Sequence, residues 1–134
     1  MATKRIGPEK AYENEIKEEL KKRGAWFVKY WAGAMYTRSG VPDLLVCYKG
    51  QFIAIEVKGD QGTISDLQRE EMAKIEAAGG IGRFSRPYNK NALWALFDAL
   101  DAKLQVDQHG EDDKPKKTTR KRKATQEADS DPTT

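Results

Sequence analysis

The sequence predicts an α/β protein in which a mixed β-sheet is flanked by helices. Apolar residues recur with helical spacing in three segments, and four shorter segments are rich in β-branched and aromatic residues. These segments follow one another in the order α-β-β-β-α-β-α. Two neighbouring strands are separated only by Lys49-Gly50, which is short enough for a tight hairpin because glycine accepts a positive φ angle.

The first predicted helix runs from about Glu9 to Arg23. Pro8 suits its start, and a basic last turn followed by glycine suits its end. Its apolar stripe consists of Tyr12, Ile16 and Leu20. With a step of about 100° per residue, both Glu13 and Glu19 lie near the edge of this stripe. Periodicity therefore leaves two candidates for an acid that points inward.

The segment from Ala25 to Trp31 is aromatic and β-branched, and it predicts the first strand. A loop over residues 33–40 follows and carries Arg38 and Ser39. Three aromatic residues of this region allow stacking on a nucleic-acid base, although core packing is the favoured interpretation; they are Tyr30, Trp31 and Tyr36.

The hairpin strands are predicted over residues 43–48 and 51–58. If the residues on either side of the two-residue turn pair with each other, Asp43 lies directly opposite Glu56. The strand period of two places Lys58 on the same face as Glu56. Two like charges opposed in this way are destabilising, and a divalent cation is the natural candidate to offset their repulsion.

A second helix is predicted from about Ser65 to Ala78. Its inner face is formed by Ile64, Leu67, Ile75 and Ala78. Gln68 lies about 20° from Ile75 on the helical wheel and therefore borders this face. Gly79-Gly80 ends the helix.

The last strand is predicted over residues 81–86, and a final helix from an Asn89 cap to about Leu104. Its apolar stripe is formed by Leu93, Leu96, Phe97, Leu100 and Leu104. Beyond Gln105 the composition is polar and charged, which predicts disorder. The expected organisation is a flexible segment 1–8, one domain over residues 9–105 and a disordered tail over residues 106–134.

Charge and composition exclude several classes of protein for this chain. The 24 basic and 21 acidic residues nearly balance, but Lys114–Lys123 holds seven Lys or Arg residues and no acid. This run suits an arm that contacts phosphates, or equally a solubilising or targeting tail. A single Cys47 excludes an internal disulfide, and the lone His109 lies in the tail, which argues against a Cys/His zinc site. No long apolar segment occurs, so a soluble, intracellular protein without a membrane partner is expected.

The hairpin residues suit phosphodiester hydrolysis. Mg²⁺ prefers hard oxygen ligands, which Asp43 and Glu56 supply, and it keeps several waters. A bound metal lowers the pKa of its water and neutralises charge on a phosphate. Lys58 is suited to orient the water or to stabilise negative charge. The alternative is that Glu56 and Lys58 are ordinary solvated residues at the end of a strand.

Together, the segment Ser39-Gly40-Val41-Pro42-Asp43, the triplet Glu56-Val57-Lys58 and Gln68 resemble the motifs of PD-(D/E)xK nucleases. The chain is most similar to the stand-alone VRR-Nuc (virus-type replication-repair nuclease) branch, which implies a restriction-endonuclease-like core. The glutamate pattern of that family's first helix matches Glu13 better than Glu19. The resemblance implies that Asp43, Glu56 and the Val57 carbonyl bind Mg²⁺ or Mn²⁺, that Lys58 assists the water, and that Glu13 and Gln68 support the site.

The resemblance also implies a structure-selective DNA endonuclease that acts on Holliday junctions or other branched DNA and works as a homodimer without a small-molecule cofactor. Arg38 and Ser39 are candidates to contact phosphate, as loop residues of related junction resolvases do. Arg83 and Arg86 flank the last strand and either hold the DNA backbone or form solvated surface. The expected location is the cytoplasm of a bacterial or phage-infected cell.

Two alternative functions remain. One is a nicking or restriction-like nuclease without junction preference, and the other is an inactive DNA-binding module. The inactive module is disfavoured because every charged motif position is present.

Overall fold

The computed structural model describes residues 5–31 and 37–112, and for residues 104–112 it describes the backbone alone. Tyr36, residues 1–4 of the predicted flexible N-terminus and the tail from residue 113 onward lie outside the described residues. The described elements follow the predicted order: α1 Pro8–Arg23, β1 Trp26–Lys29, β2 Leu44–Tyr48, β3 Gln51–Val57, α2 Asp66–Ala77, β4 Ile81–Ser85, a 3₁₀ turn Pro87–Asn89 and α3 Lys90–Asp112. The described part of the chain divides between Leu100 and Asp101 into two units.

The four described strands form one mixed sheet in the order β1-β2-β3-β4. β1, β2 and β3 pair in antiparallel fashion, whereas β3 and β4 are parallel and are connected through α2. The β2–β3 turn consists of Lys49 and Gly50, whose φ angles of 53° and 79° are both positive. Such a turn matches the right-handed twist of the strands. The predicted mixed sheet with flanking helices is confirmed.

The hairpin register is the one that the sequence predicted. Tyr48 pairs with Gln51, and the pairing continues without a bulge to Leu44 and Ile55. The next pair along the same register is Asp43 with Glu56. Because a shift of one residue would move every side chain to the opposite face, this register decides which residues form the site.

One face of the sheet is covered by α1 and α3. All three residues of the predicted α1 stripe are buried, and so are Leu93 and Phe97 of α3. They pack against β2 and β3 residues of the core, which are Leu44, Val46, Tyr48, Ile53, Ile55 and Val57. Gly24 ends α1 with a φ of 77°, as the sequence predicted.

The helix α2 lies on the opposite face, over β4. Its buried apolar residue is Met72, whereas Leu67 is 52% exposed, so the predicted inner stripe of α2 was wrong in part. The inward stripe is instead Gln68, Met72 and Ile75, at helical spacings of four and three. Glycines make this close packing possible: a Cβ at Gly82 would collide with the Met72 thioether, and a Cβ at Gly80 with the Ile75 side chain.

The helix α3 continues to Asp112, past the end predicted near Leu104 and into residues where disorder was expected. No proline occurs between Pro87 and Pro115, so the polar composition by itself does not stop the helix. Asn89 directly precedes α3, but its side chain accepts a hydrogen bond from the Arg86 N–H, at 2.8 Å, and so closes the preceding 3₁₀ turn. Among the described helices, none is both long and apolar enough to cross a membrane.

Candidate active site

Asp43 and Glu56 are joined by two hydrogen bonds between side chain and backbone. The Asp43 N–H donates to Glu56 Oε1 at 3.2 Å, and the Val57 N–H donates to Asp43 Oδ2 at 2.9 Å. Each carboxylate therefore accepts a hydrogen bond from the other residue's strand. The predicted opposition of the two acids is confirmed, and these hydrogen bonds offset part of the repulsion that the sequence assigned to a cation alone.

The Glu56 carboxylate is 4% exposed. Burial raises the pKa of Glu56 to about 7, with a further contribution from the negative charge of Asp43, while the charge of Lys58 opposes the increase. The site therefore holds a carboxyl group that gives up its proton with difficulty unless additional positive charge is placed beside it.

Lys58 and Gln68 both contact the second oxygen of Glu56. Lys58 Nζ lies 3.7 Å from Glu56 Oε2, which confirms that the two side chains share a face. The Gln68 amide nitrogen donates to the same oxygen at 2.8 Å. Its amide oxygen accepts from the Ser65 N–H at 2.9 Å in a capping box that starts α2. The helix cap thus fixes the orientation of the amide that holds Glu56.

Glu13 is 4% exposed and points toward the sheet, whereas Glu19 pairs with Arg23 at the surface. Burial by itself would raise the pKa of Glu13, but hydrogen bonds and positive charge from Lys29 and Lys17 outweigh it and lower the pKa to about 2. Glu13 is therefore a firmly ionised carboxylate under ordinary conditions.

Lys29 connects Glu13 to the hairpin, and it was not among the site residues predicted from the sequence. Its Nζ lies 2.8 Å from Glu13 Oε1 and 3.4 Å from Asp43 Oδ1. The sequence did contain an indication of this role, because Lys29 shares a strand face with Phe27, which packs against the core. A lysine on that side of a strand needs a buried partner. The spacing of four residues between Glu13 and Lys17 likewise predicts an ion pair on the helix.

The donor set of the hairpin suits a divalent cation. Within the described residues, no three His, Cys, Asp or Glu side chains form a metal-binding group. Asp43 and Glu56 nevertheless offer two hard carboxylates, the number with which Mg²⁺ is commonly held when water and phosphate complete its shell. Continuation of the register places Pro42 opposite Val57. Because proline has no N–H, Pro42 cannot donate to the Val57 carbonyl, which matches the predicted role of that carbonyl as a ligand.

The loop before Asp43 is fastened to α2. The Arg38 guanidinium lies 2.6 Å from Glu71 Oε1, and the Arg38 N–H donates to the Tyr30 hydroxyl at 2.7 Å. Gly40 packs on the backbone of Leu67 so tightly that a Cβ would lie 2.7 Å from the Leu67 carbonyl oxygen. Ser39 is exposed in the turn. Contacts of Arg38 and Ser39 with nucleic acid remain predictions.

The two arginines at the last strand have different surroundings. Arg86 Nη1 donates to the carbonyl oxygens of Gly59 and Gly62, at 2.8 and 2.7 Å, and so holds the loop that follows Lys58. Arg83 lies on the edge strand β4, where its Nη1 donates to the Gly82 carbonyl at 2.8 Å. A role in nucleic-acid binding remains a prediction for both.

A mixed sheet that bears opposed carboxylates, with a lysine on the same face, is the arrangement that the resemblance to PD-(D/E)xK nucleases implied. The VRR-NUC domain family matches residues 3–86, which is more than half of the chain. The chain belongs to the VRR-NUC domain family, as its motifs predicted, and it is thus a nuclease-type domain.

Other comparisons add a structural neighbour. The Holliday junction resolvase Hjc of the archaeal hyperthermophile Archaeoglobus fulgidus is similar to this chain, with 22% sequence identity and a TM-score of 0.43. The similarity covers 57% of this chain and 67% of the resolvase chain. No curated protein matches the sequence.

Proposed function

We propose that this protein is a Mg²⁺- or Mn²⁺-dependent endonuclease that hydrolyses phosphodiester bonds in branched DNA. The observation that carries the proposal is the reciprocal hydrogen bonding of Asp43 and Glu56, which fixes two hard carboxylates side by side with Lys58 next to them. Membership of the VRR-NUC family supports the same chemistry.

Asp43, Glu56 and the Val57 carbonyl are the groups that would hold the divalent ion. When bound, the ion supplies a water of lowered pKa and neutralises charge on the phosphate. The raised pKa of Glu56 supports this assignment, because a bound cation would favour the charged state of a buried carboxyl group that has a carboxylate beside it.

The other residues position these ligands and the substrate. Gln68 fixes one oxygen of Glu56 and the Asp43 N–H fixes the other, so the carboxylate cannot rotate freely. Lys58 places a cation where negative charge develops on the phosphate or where water approaches it. Glu13 holds Lys29 against Asp43.

Resolution of a four-way junction requires two symmetry-related cuts, and a twofold homodimer supplies two active sites for them. The proposal therefore includes a homodimer. Sedimentation velocity of the full chain tests this part: a single monomeric species at all concentrations would contradict it.

The decisive experiment compares four-way junction, fork and blunt duplex DNA, each with Mg²⁺, Mn²⁺ or EDTA. We expect metal-dependent cutting of the branched substrates. Equal cutting of all three substrates would favour a nicking or restriction-like nuclease. An absence of cutting under every condition would reject the enzyme and leave a DNA-binding module.

Two variants test the assignment of residues. Glu56→Gln removes a charged ligand while it keeps the size and polarity of the side chain, and we expect cutting to be abolished. Lys58→Ala should slow cutting by about 10²- to 10³-fold, the typical loss when one group that stabilises the transition state is removed. Lys21→Ala is the control, because Lys21 pairs with Glu18 at the exposed surface of α1.

A further inference from the structure

Trp31, two residues after the end of β1, presents its ring to solvent. The residue is 67% exposed, so the core packing favoured from the sequence was wrong for it. Two ammonium groups lie over the ring: Lys29 Nζ is 5.4 Å and Lys10 Nζ is 5.8 Å from the ring centroid. The ring is thus flanked by cations and still largely open.

The same lysines connect this ring to the candidate active site. Lys29 Nζ lies 5.4 Å from the Trp31 ring centroid and 3.4 Å from Asp43 Oδ1. Lys10 and Lys17 place two further ammonium groups within 3.3 and 2.9 Å of Glu13. Three lysines therefore surround the Glu13 carboxylate, and Lys29 also contacts Asp43, so three ammonium groups face two carboxylates beside the candidate active site.

An open aromatic ring between cations suits a nucleotide of a separated strand. Bases stack on aromatic rings irrespective of sequence, and their phosphates contact the neighbouring lysines. A base inside a duplex is already stacked on its neighbours and has no free face to offer. The ligand that matches this patch is consequently an unpaired nucleotide.

We propose that Trp31 is a stacking platform for one unpaired base of the substrate strand, and that Lys10 and Lys17 contact the adjoining phosphates. The inference rests on the proposed function for its ligand, DNA. It adds the substrate class: DNA in which a nucleotide next to the cleaved bond is unpaired, as at a fork or another branch point.

The test measures binding without cleavage, with full-length chains that carry Glu56→Gln. Affinities are compared for a blunt duplex and for a splayed fork of the same sequence. Trp31→Ala should weaken fork binding by about 5- to 100-fold, the range for loss of one stack between a base and an aromatic ring, and should leave duplex binding unchanged. Trp31→Phe should retain most of the fork affinity.

Trp26→Ala is the matched control, because Trp26 is 63% exposed and lies at the other end of β1. We expect it to bind both DNAs like its parent. Unchanged fork binding by Trp31→Ala would overturn the proposal. An equal loss on the duplex, or an equal loss with Trp26→Ala, would overturn it as well.

Abasic substitution locates the stacked base. One abasic position in the fork arm should lower the affinity of the parent chain and have no further effect in Trp31→Ala. If the loss of affinity from the abasic position and the loss from Trp31→Ala add up at every position tested, the base and the ring do not contact each other. Because these measurements need no turnover, a protein that cuts no DNA but shows this pattern would fail the proposed function and keep the stacking site. A protein that cuts forks but does not show this pattern would support the proposed function and overturn the stacking site.

The salt dependence of DNA binding distinguishes the contribution of the Trp31 ring from that of the lysines. Trp31→Ala should preserve the slope of log affinity against log salt, whereas Lys10→Ala with Lys17→Ala should reduce its magnitude by about 0.7–0.9 for each phosphate that the variant no longer neutralises. A steep change of slope with Trp31→Ala would show that the ring acts through charge and would overturn the stacking role.

Discussion

At the scale of single residues, the pKa values of two buried carboxylates in this protein are shifted in opposite directions. Glu56 and Glu13 are equally inaccessible to solvent, at 4% exposure each. The pKa of Glu56 is raised to about 7 because burial and Asp43 outweigh its single lysine neighbour. The pKa of Glu13 is lowered to about 2 because Lys29 and Lys17 outweigh the effect of burial. The number of nearby cations decides the sign.

The shift of Glu56 predicts how stability depends on pH when metal is chelated. Since its folded-state pKa exceeds the ordinary 4.5, Glu56 contributes stability below about pH 4.5 and loses that contribution as the pH rises through about 7. Between pH 5 and pH 8, the unmodified chain should therefore lose up to about 3 kcal/mol of unfolding free energy relative to Glu56→Gln.

Urea unfolding in EDTA at a series of pH values measures this difference, in which the contributions of groups that do not interact with Glu56 cancel. A difference that stays constant with pH would contradict the raised pKa. Addition of Mg²⁺ should stabilise the unmodified chain more than Glu56→Gln at neutral pH, because only the former keeps both carboxylates.

At the scale of structural elements, the approach to Asp43 is held by close packing on α2. Gly40 has a φ of 83°, and a Cβ there would meet the Leu67 backbone, which cannot move without shifting the helix. The same helix carries Gln68, the partner of Glu56. Displacement of this contact should therefore disturb both strands of the site.

Gly40→Ala tests this coupling, with Gly24→Ala as a control of matched backbone geometry. Gly24 has a φ of 77° and no atom within 4 Å of a Cβ. Both variants should lose about 1–2 kcal/mol from the left-handed conformation, and Gly40→Ala should lose more because of the collision. Thermal unfolding and cleavage assays are the measurements. We expect activity to fall in Gly40→Ala alone, and equal behaviour of the two variants would exclude the coupling.

Arg86 provides a second test at this scale. It donates to two carbonyl oxygens of the loop after Lys58, so Arg86→Ala should destabilise the fold by about 1.5–3 kcal/mol, the usual contribution of a charged hydrogen bond. Arg83→Ala should cost less than about 0.5 kcal/mol, because Arg83 is exposed. If Arg86→Ala instead weakens DNA binding at unchanged stability, its predicted contact with nucleic acid is its main role.

At the scale of the whole molecule, a nuclease domain over residues 9–105 and a tail that either contacts phosphates or serves as a solubilising or targeting segment remain predictions. The basic run Lys114–Lys123 lies outside the described residues, so its role is argued from sequence alone. Deletion of residues 113–134 should reduce the magnitude of the salt slope of DNA binding by about 0.9 for each phosphate that the tail neutralises. An unchanged slope would return the run to a solubilising or targeting role.

Much of the site was predictable because it depends on local rules. Strand alternation and a two-residue turn fixed the opposition of Asp43 and Glu56, and both were confirmed. The α2 stripe was predictable only in part, since Gly80, just before β4, and Gly82, within it, decide which side of that helix approaches the sheet. Lys29 was missed because its partners are 16 and 14 residues away along the chain, on different elements.

The sequence by itself determined the order of elements, the hairpin register and the family, because periodicity, turn chemistry and motif spacing act over short stretches of chain. Only the tertiary structure decided that Lys29 joins Glu13 to Asp43, that Gln68 holds Glu56 and that Trp31 is exposed. Contacts and burial depend on which surfaces meet once the elements pack, and residues distant in sequence become neighbours only in that packing.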